Sequence, residues 1–257
     1  LYTQSDIDRI HQIIKLLDQG ISIGQVAPLL EQQDGATPTT RSAANSDVWS
    51  GYQHRMLTSI MEFNERSLDA IYNDALSLYP LDLVNNQLIS PVLRQLGEQW
   101  REREDGIAEE HFFSVYLRNK LGARIHHLNL RNNGPLILAS CLPGELHDMG
   151  LLFFVLAAVS SNCRVIILGA NLPLDQLPTV QQKQPCQAIV LSGSAKPSRK
   201  LFDEELPKLI GLSGVPIFVG GAICDKHEDA IEKTGCISVG RAIQPGLEKI
   251  IQTLKQG

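Results

Sequence analysis

Hydrophobic positions in the second half of the chain form short apolar runs that alternate with helical patterns. The apolar runs lie at 135–142, 163–169, 186–193, 215–221 and 236–240. The amphipathic patterns lie at about 148–161, 174–182, 198–212, 225–234 and 243–255. Short apolar strands that alternate with helices are typical of a parallel sheet covered on both faces. Residues 134–257 are therefore predicted to form a five-stranded α/β domain of the flavodoxin-like, Rossmann-like kind.

Residues 47–130 show a helical period and no convincing strand. Their helical patterns lie at about 47–63, 66–78, 82–103 and 107–129. Pro91 falls inside the third pattern and is expected to kink it, because proline removes a helical hydrogen bond. Helices with such short connections predict an all-α four-helix bundle beside the α/β domain.

The first 46 residues divide into a helical piece and a linker. Residues 35–46 are rich in Gly, Pro, Ser, Thr and Ala, which predicts a linker. In 1–34, Ser5 is a candidate N-cap for a first helix, and a second short helix is expected after Ser22. The predicted apolar face of the first helix carries Ile7, Ile10, Ile13, Ile14 and Leu17. Two helices are too few to form a core alone.

Composition and charge restrict the class of protein. Apolar residues make up 43% of the chain, and no apolar run approaches the roughly 18–20 residues of a membrane span. The net charge of −5 offers no overall basic surface, so DNA contact would need a local patch or another segment. The five cysteines are widely spaced without a CxxC pair. They predict small buried hydrophobes in a reducing cytoplasm rather than disulfides or a zinc site.

A polar loop separates two apolar segments where the first predicted strand ends. The run LILASCL is followed by a Pro-Gly turn and then by Glu145, His147 and Asp148, before another apolar helix begins. Taken alone, a histidine at such a junction is most simply a capping or solvent-exposed residue. Ligands of parallel α/β sheets, however, bind beyond the carboxyl ends of the strands, where this loop lies.

Further motifs follow that loop at fixed distances. Glu145-x-His147-x-x-Gly150 is followed after 41 residues by Ser192-Gly193-Ser194. After 25 more residues comes Gly220-Gly221. These elements fall at the carboxyl ends of the first, third and fourth predicted strands, so they are expected to converge on one edge of the sheet. A Gly-Gly pair considered by itself is as well explained by a turn at a strand end.

This pattern resembles the cobalamin-binding domain of the methionine synthase and methylmalonyl-CoA mutase type. The resemblance implies that His147 is the lower axial ligand of cobalt and that the displaced nucleotide tail enters a slot beside the sheet. Ser192 would hydrogen-bond in that slot, while Gly220 and Gly221 would let the backbone approach the tail. Neutral imidazole suits a transition metal, and a nearby carboxylate, Glu145 or Asp148, is expected to orient its ring.

Two residues depart from the pattern of that family. Glu145 stands where aspartate is commoner, and its extra methylene group is expected to loosen the support of the histidine. Ser194 replaces a leucine, which is expected to weaken packing on the tail. Neither change removes the predicted cobalt ligand.

A second motif lies in the helical region. Trp100 is followed after nine residues by Glu110-His111, and the two helices concerned would be antiparallel neighbours. A bundle aromatic beside a polar helix start explains this pattern too. Beside a cobalamin domain, it resembles the cap of the light-sensing regulators of the CarH and LitR type. The resemblance implies that Trp100, Glu110 and His111 line the upper pocket of adenosylcobalamin. Arg101 stands where that family has a histidine, so the photoproduct is expected to differ.

The first 34 residues resemble the second half of a MerR-type DNA-binding domain. The matching residues are Leu1, Tyr2, Asp6, Ile7, Gly20, Ser22, Ile23, Leu29 and Leu30. The recognition helix of that domain would lie upstream, which leaves Arg9 and Lys15 for phosphate contacts. The resemblance implies DNA as a partner.

The sequence therefore favours a cytoplasmic, non-enzymatic transcriptional regulator with no membrane partner. It would use adenosylcobalamin, with light as its signal, to switch a homo-oligomer, dimer or tetramer, and its DNA binding. No residue is predicted to be catalytic. Two alternatives stay open: a corrinoid methyl carrier of a methyltransferase system, and a MerR-type regulator that does not use cobalamin. Methyl in place of adenosyl as the upper ligand is open as well.

Overall fold

A computed structural model of the chain describes residues 3–18, 26, 30, 42–99 and 106–256. The chain divides into two compact units, Leu1–Tyr116 and Leu117–Gly257. The division falls inside one long helix, Gly106–Asn129, so this helix contributes residues to both units.

The first helix, α1, covers Gln4–Asp18. Its N-terminus is capped by Thr3, and the prediction that Ser5 is the N-cap is wrong. The Thr3 N–H and Oγ1 donate to Asp6 Oδ2 at 2.8 and 2.7 Å, and the Asp6 N–H donates back to Thr3 Oγ1 at 3.3 Å. This reciprocal Thr-x-x-Asp arrangement has the geometry of a capping box, which satisfies free N–H groups of the first turn.

Only part of the predicted apolar face of α1 is covered among the described residues. Ile13 and Leu16 pack with Leu30 around Val26, which is 2% exposed. The other apolar positions, Ile7, Ile10 and Ile14, are exposed. Gly20 and the segment that follows Ser22 lie outside the described residues apart from Val26 and Leu30.

Four further helical segments complete the described part of the first unit before the long helix. They are α2, Ser42–Met61; α3, Glu65–Leu78; α4, Leu81–Val84; and α5, Ser90–Gln99. The long helix is α6, Gly106–Asn129. Because α2 begins at Ser42, the last residues of the predicted linker 35–46 are helical. Ala43 and Ala44 explain this correction, since alanine has the highest helix propensity.

The expected irregularity at Pro91 takes the form of a π-helical turn. This turn, Asn85–Ile89, joins α4 to α5 without a break in the helical path. Proline has no N–H to donate and its ring crowds the carbonyl four residues earlier. The wider turn directly before Pro91 leaves room for that ring, and the backbone is helical on both sides of the turn.

The second unit contains a parallel sheet of five strands in the order β2-β1-β3-β4-β5. The strands are β1, Leu136–Cys141; β2, Arg164–Gly169; β3, Ala188–Ser192; β4, Ile217–Gly220; and β5, Ile237–Ser238. This order is that of flavodoxin-like proteins, and the predicted fold class is confirmed. In the register of the sheet, Cys141 lies beside Ser192 and Ser192 beside Gly220. The ends of β1, β3 and β4 are therefore neighbours.

Helices follow each strand of this unit. They are α7, Met149–Ser160; α8, Leu177–Lys183; α9, Leu206–Ser213; α10, Cys224–Lys233; and α11, Ile243–Gln256. A 3₁₀ turn, Leu174–Gln176, precedes α8, and a π-helical turn, Leu201–Glu205, precedes α9. All five cysteines are free and buried, as predicted. Among the described residues, no helix is both long and apolar enough to cross a membrane.

Candidate functional site

The loop between β1 and α7 turns on Gly144, which has a φ of +80°. Glycine adopts this left-handed conformation without steric cost. The Gly144 N–H donates to Asn171 Oδ1 at 2.9 Å, and the Glu145 N–H donates to the Leu142 carbonyl at 3.0 Å. The turn redirects the chain at the carboxyl edge of the sheet, so that the next residues face the ends of the neighbouring strands.

Glu145 joins this loop to the loop that follows β3. Its side chain is buried, with 2% of its surface exposed. Oε1 accepts the backbone N–H of His147 at 2.9 Å. Oε2 accepts the N–H and the hydroxyl of Ser194, both at 2.6 Å, and the N–H of Ala195 at 2.8 Å. The Glu145 carboxylate therefore links the two loops. It accepts one hydrogen bond from the loop after β1 and three from the loop after β3.

These hydrogen bonds contradict the expectation that Glu145 loosens the support of the histidine, because the extra methylene group carries the carboxylate to donors on the β3 loop. Of the two donors of Ser194, the backbone N–H would be present in any residue except proline, but a leucine would lack the hydroxyl. The two departures are therefore complementary. The expected weaker packing of Ser194 on the tail stays a prediction.

The hydrogen bonds keep the buried carboxylate ionised. Burial by itself raises the pKa of Glu145, but the hydroxyl of Ser194 and the three backbone N–H groups lower it further than burial raises it. The resulting pKa lies below the ordinary value of a glutamate, because each donor stabilises the charged form.

His147 is exposed at the carboxyl edge of the sheet. Its backbone N–H binds Glu145, while its imidazole makes no hydrogen bond with the described residues. The prediction that Glu145 or Asp148 orients the ring is wrong, since Asp148 Oδ1 instead accepts from Arg118 of α6 at 2.8 Å. The loop is thus fixed on both sides of the histidine through its backbone and its neighbour, and the ring nitrogens remain available to a ligand.

A cavity of about 250 Å³ opens beside His147. All six residues that the sequence predicts for this edge of the sheet line the cavity: Glu145, His147, Gly150, Ser192, Gly220 and Gly221. The sequence-based expectation that these residues converge is confirmed by this geometry. The remaining walls come from α7, from β3 and from the segment between β5 and α11.

The Gly-Gly pair keeps the backbones at this edge close together. Gly221 has a φ of +101°, and a Cβ atom there would lie 2.4 Å from the Gly193 carbonyl oxygen. At Gly220 a Cβ atom would lie 3.0 Å from Val239 Cγ2. A turn at the end of a strand is therefore sufficient to explain the glycine at position 221. The absence of side chains at Gly220 and Gly221 also leaves the cavity open.

The helical motif is described only in part. Glu110 and His111 lie near the start of α6, where Glu110 Oε1 accepts from the Ser114 hydroxyl at 3.2 Å and His111 is exposed. Trp100 and Arg101 lie outside the described residues. The predicted meeting of Trp100 with Glu110 and His111 therefore stays a prediction.

The sequence did not single out Arg118 or Asn171, although both fix the histidine loop. Asn171 has a φ of +52°, an unusual value for a residue other than glycine. An asparagine two residues after the end of a predicted strand was the available signal for Asn171. No sequence signal pointed to Arg118, because its partner Asp148 is 30 residues away in the sequence.

The donor set at this edge fits a metal that is already held by a macrocycle. Among the described residues, no three His, Cys, Asp or Glu side chains come together to hold a bare ion. A single exposed imidazole beside a cavity can instead supply one axial ligand, for which neutral imidazole is suitable. The cavity next to it can receive a group that such a cofactor displaces.

Glu145→Gln is expected to lower the free energy of unfolding by about 1–3 kcal/mol, because an amide N–H₂ must then face a backbone N–H donor. The pKa of Glu145 is lowered in the folded state, so its contribution is present above the ordinary glutamate value and is lost as the pH falls through the folded value. The difference between wild type and variant should therefore shrink below about pH 4. Urea unfolding from pH 3 to pH 8 measures this difference.

The exposed Glu228 offers a matched control. Glu228→Gln should change stability by less than about 0.5 kcal/mol at every pH, as is usual for surface positions. If the two substitutions lowered the free energy of unfolding equally at pH 7, the hydrogen bonds of the Glu145 carboxylate would not stabilise the loops.

Known proteins resemble this chain over most of its length. The B12 binding domain family model matches residues 52–125, within the helical region. The chain is 27% identical to the HTH-type transcriptional repressor CarH of Myxococcus xanthus, over 90% of this chain and 80% of that protein. It is 20% identical to the HTH-type transcriptional repressor CarA of the same organism, over 91% of this chain and 78% of that protein.

Among solved structures, the monomethylamine corrinoid protein of Methanosarcina barkeri aligns with a TM-score of 0.62 at 15% identity. The alignment covers 79% of this chain and 99% of that one, and it shows a shared fold. The predicted resemblance is confirmed by the family match and the two repressors. Over most of its length the chain is therefore similar to the CarH and CarA repressors, and its residues 52–125 match the B12 binding domain family.

Proposed function

We propose that this chain is part of a cobalamin-dependent transcriptional regulator of the MerR type, with adenosylcobalamin as its ligand. The observation that carries the proposal is the exposed imidazole of His147 at the cavity that Ser192, Gly220 and Gly221 also line. Within the proposed domain 134–257, His147 would hold the cobalt of the cofactor. Residues 47–130 form the helical cap and residues 1–34 the end of the DNA-binding domain. Residues 35–46, of which 42–46 are helical, connect these two parts.

The residues of the second unit have separate tasks in this proposal. Glu145 fixes the backbone on which His147 is carried, and Ser192 offers a hydroxyl to the nucleotide tail of the cofactor. Gly150, Gly220 and Gly221 keep the cavity free of side chains. When bound, adenosylcobalamin supplies a cobalt–carbon bond that visible light can break.

The proposal assigns Trp100, Glu110 and His111 of the helical region to the upper ligand. The aromatic ring of Trp100 would shield that ligand from water, and Glu110 and His111 would contact it. Arg101 offers no imidazole to the metal, so His111 would be the histidine that the helical region could offer. The response to light would then differ from that of a regulator with histidine at position 101.

Regulation follows if the cap distinguishes the dark state from the exposed state. Trp100, Glu110 and His111 contact the upper ligand only while it is present, so the cap prefers one arrangement in the dark. A change in homo-oligomer, and through it in DNA affinity, needs differential affinity of about 5.5 kcal/mol to reverse a 99-to-1 population. The loss of the upper ligand is the source of that difference.

Absorption spectroscopy of the purified chain tests this proposal. The chain is mixed with adenosylcobalamin in the dark, desalted and then exposed to green light. A retained cofactor with the spectrum of histidine in place of its own base is expected, followed by a spectral change and a new elution volume after light. Colourless protein after desalting would refute cobalamin binding. Retention with the photochemistry of free cobalamin would refute the light switch.

A corrinoid methyl carrier is the alternative that shares this fold. It would accept or donate a methyl group on cobalt in the presence of a methyltransferase, whereas the proposed regulator would not. Methyl transfer from methylcobalamin bound to the purified chain separates the two functions. Turnover above that of free methylcobalamin would favour the carrier.

A further inference from the structure

The cavity beside His147 changes from polar to apolar with depth. Its polar side chains belong to residues at the carboxyl edge of the sheet: Glu145, His147, Ser192, Ser194 and Arg241. The apolar lining continues inward along α7 and β3. Phe154 lies one helical turn beyond Gly150, about 6 Å further along α7. Val190 lies two residues before Ser192, about 6–7 Å further down β3.

The two faces of β3 show which side chains enter the cavity. Ile189 and Leu191 belong to the apolar core on one face, together with Val219 of β4. Because side chains alternate along a strand, Val190 and Ser192 share the opposite face. Ser192 Oγ lies 3.6 Å from the position a Cβ atom would take at Gly150. The hydroxyl thus marks the boundary between the polar mouth and the apolar inner end.

The polar groups near this boundary are largely satisfied by the protein itself. The Gly193 N–H donates to the Gly220 carbonyl, and the Gly221 N–H donates to the Gly240 carbonyl, both at 3.0 Å. Arg241 Nη1 lies 3.4 Å from Asp225 Oδ2 in an exposed ion pair. Beyond Ser192 on β3 and Gly150 on α7, the described lining residues Val190 and Phe154 carry no polar side-chain group.

We propose that this cavity selects corrinoids whose lower nucleotide carries an apolar benzimidazole base over those that carry a purine. The proposal rests on the proposed function, in which the displaced nucleotide tail enters the cavity. A dimethylbenzimidazole presents methyl groups and aromatic carbon to Phe154 and Val190. Adenine would bring an amino group and ring nitrogens to the same walls, and burying them without partners is unfavourable.

The size of the cavity makes polarity the deciding property. A cavity of about 250 Å³ is large enough for a bicyclic base. Adenine and dimethylbenzimidazole are both bicyclic and of similar size. Shape alone would therefore accept either base, while the apolar walls distinguish them.

Three corrinoids serve as probes of the purified chain in the dark: adenosylcobalamin, its analogue with adenine as the lower base, and adenosylcobinamide, which lacks the nucleotide. Dissociation constants are measured by fluorescence quenching and by the absorption change at cobalt. Adenosylcobalamin is expected to bind about ten- to hundredfold more tightly than the adenine analogue. Adenosylcobinamide is expected to bind more weakly than adenosylcobalamin, because it leaves the cavity without an occupant.

Val190→Thr tests the walls directly, since it adds a hydroxyl at nearly constant size. It is expected to narrow the preference for adenosylcobalamin about three- to tenfold, by giving the adenine base a partner. Val219→Thr is the matched control: both valines are at most 3% exposed in central strands, and Val219 packs on the other face. Val239→Thr, at a half-buried position that lines the cavity, repeats the test if Val190→Thr does not fold.

The two free corrinoids differ in how strongly their own lower base binds cobalt. This difference is the same for every variant, so the change in preference between variants reports on the cavity alone. An equal change of the preference in Val190→Thr and Val219→Thr would overturn the selectivity of the cavity. Equal affinities for adenosylcobinamide and adenosylcobalamin would also overturn the selectivity of the cavity. Cobalamin binding itself would not be refuted by that result. Failure of all three corrinoids to bind would overturn the proposed function together with this inference.

Discussion

His147→Ala is expected to weaken binding of adenosylcobalamin by more than about 100-fold, because loss of the metal ligand should exceed the 10–100-fold effect of losing an outer partner. The imidazole is exposed and makes no hydrogen bond with the described residues, so its removal should leave the fold intact. Equilibrium dialysis in the dark measures the affinity. Circular dichroism and the thermal midpoint verify that the variant is folded.

Two further experiments make this result specific to the axial position. His126→Ala removes another exposed histidine of the same unit, on α6, and should leave the affinity unchanged. Free imidazole added to His147→Ala should restore part of the binding and of the histidine-ligated spectrum, because the truncated side chain leaves room beside the cavity. Retention of adenosylcobalamin by His147→Ala with wild-type affinity would exclude His147 as the cobalt ligand.

The regulatory response of His147→Ala tests the remaining alternative, a regulator that does not use cobalamin. A regulator that uses the fold without cobalamin would keep its response after this substitution. Under the proposed function, the variant should lose the response to cobalamin and light while its DNA-binding segment is unaffected. A reporter under the control of the intact protein, measured in darkness and in light, shows which of these holds.

The convergence of the candidate residues could be predicted because it depends only on where the apolar runs end and on the strands being parallel. His147, Ser192 and Gly220 each stand at the end of an apolar run, and parallel strands bring such ends to one edge. The strand order needs only right-handed crossovers and short connections. Local sequence and elementary sheet geometry were therefore sufficient for this part of the site.

The partners of individual side chains could not be predicted in the same way. Whether the Glu145 carboxylate reaches an imidazole or a backbone N–H depends on a few ångströms between two loops. Its donors at Ser194 and Ala195 are about 50 residues away in the sequence. The cap of α1 was missed for a local reason, since Thr3 and Ser5 both suit an N-cap and only the position of Asp6 favours Thr3.

Gly221→Ala is expected to destabilise the protein by about 3 kcal/mol or more, from two separate costs. A φ of +101° lies outside the conformations that alanine adopts at low energy. The added Cβ atom would also meet the Gly193 carbonyl oxygen at 2.4 Å, and that contact involves backbone rather than a movable side chain. The thermal midpoint should fall by about 6–12 °C, at 2–4 °C per kcal/mol for a domain of this size.

Two other glycines provide a graded comparison. In Gly220→Ala the added Cβ atom would lie 3.0 Å from the end of the Val239 side chain and at an ordinary 3.5 Å from the Gly240 carbonyl oxygen, so its cost should be intermediate. Gly122 lies inside α6 with nothing within 4 Å of an added Cβ atom, and Gly122→Ala should stabilise by about 0.5–1 kcal/mol through helix propensity. Because the backbones of Gly221 and Gly193 approach closely where β4 and β3 end, a folded Gly221→Ala variant should also bind adenosylcobalamin more weakly. A Gly221→Ala variant as stable as Gly220→Ala would contradict the close backbone contact on which the cavity depends.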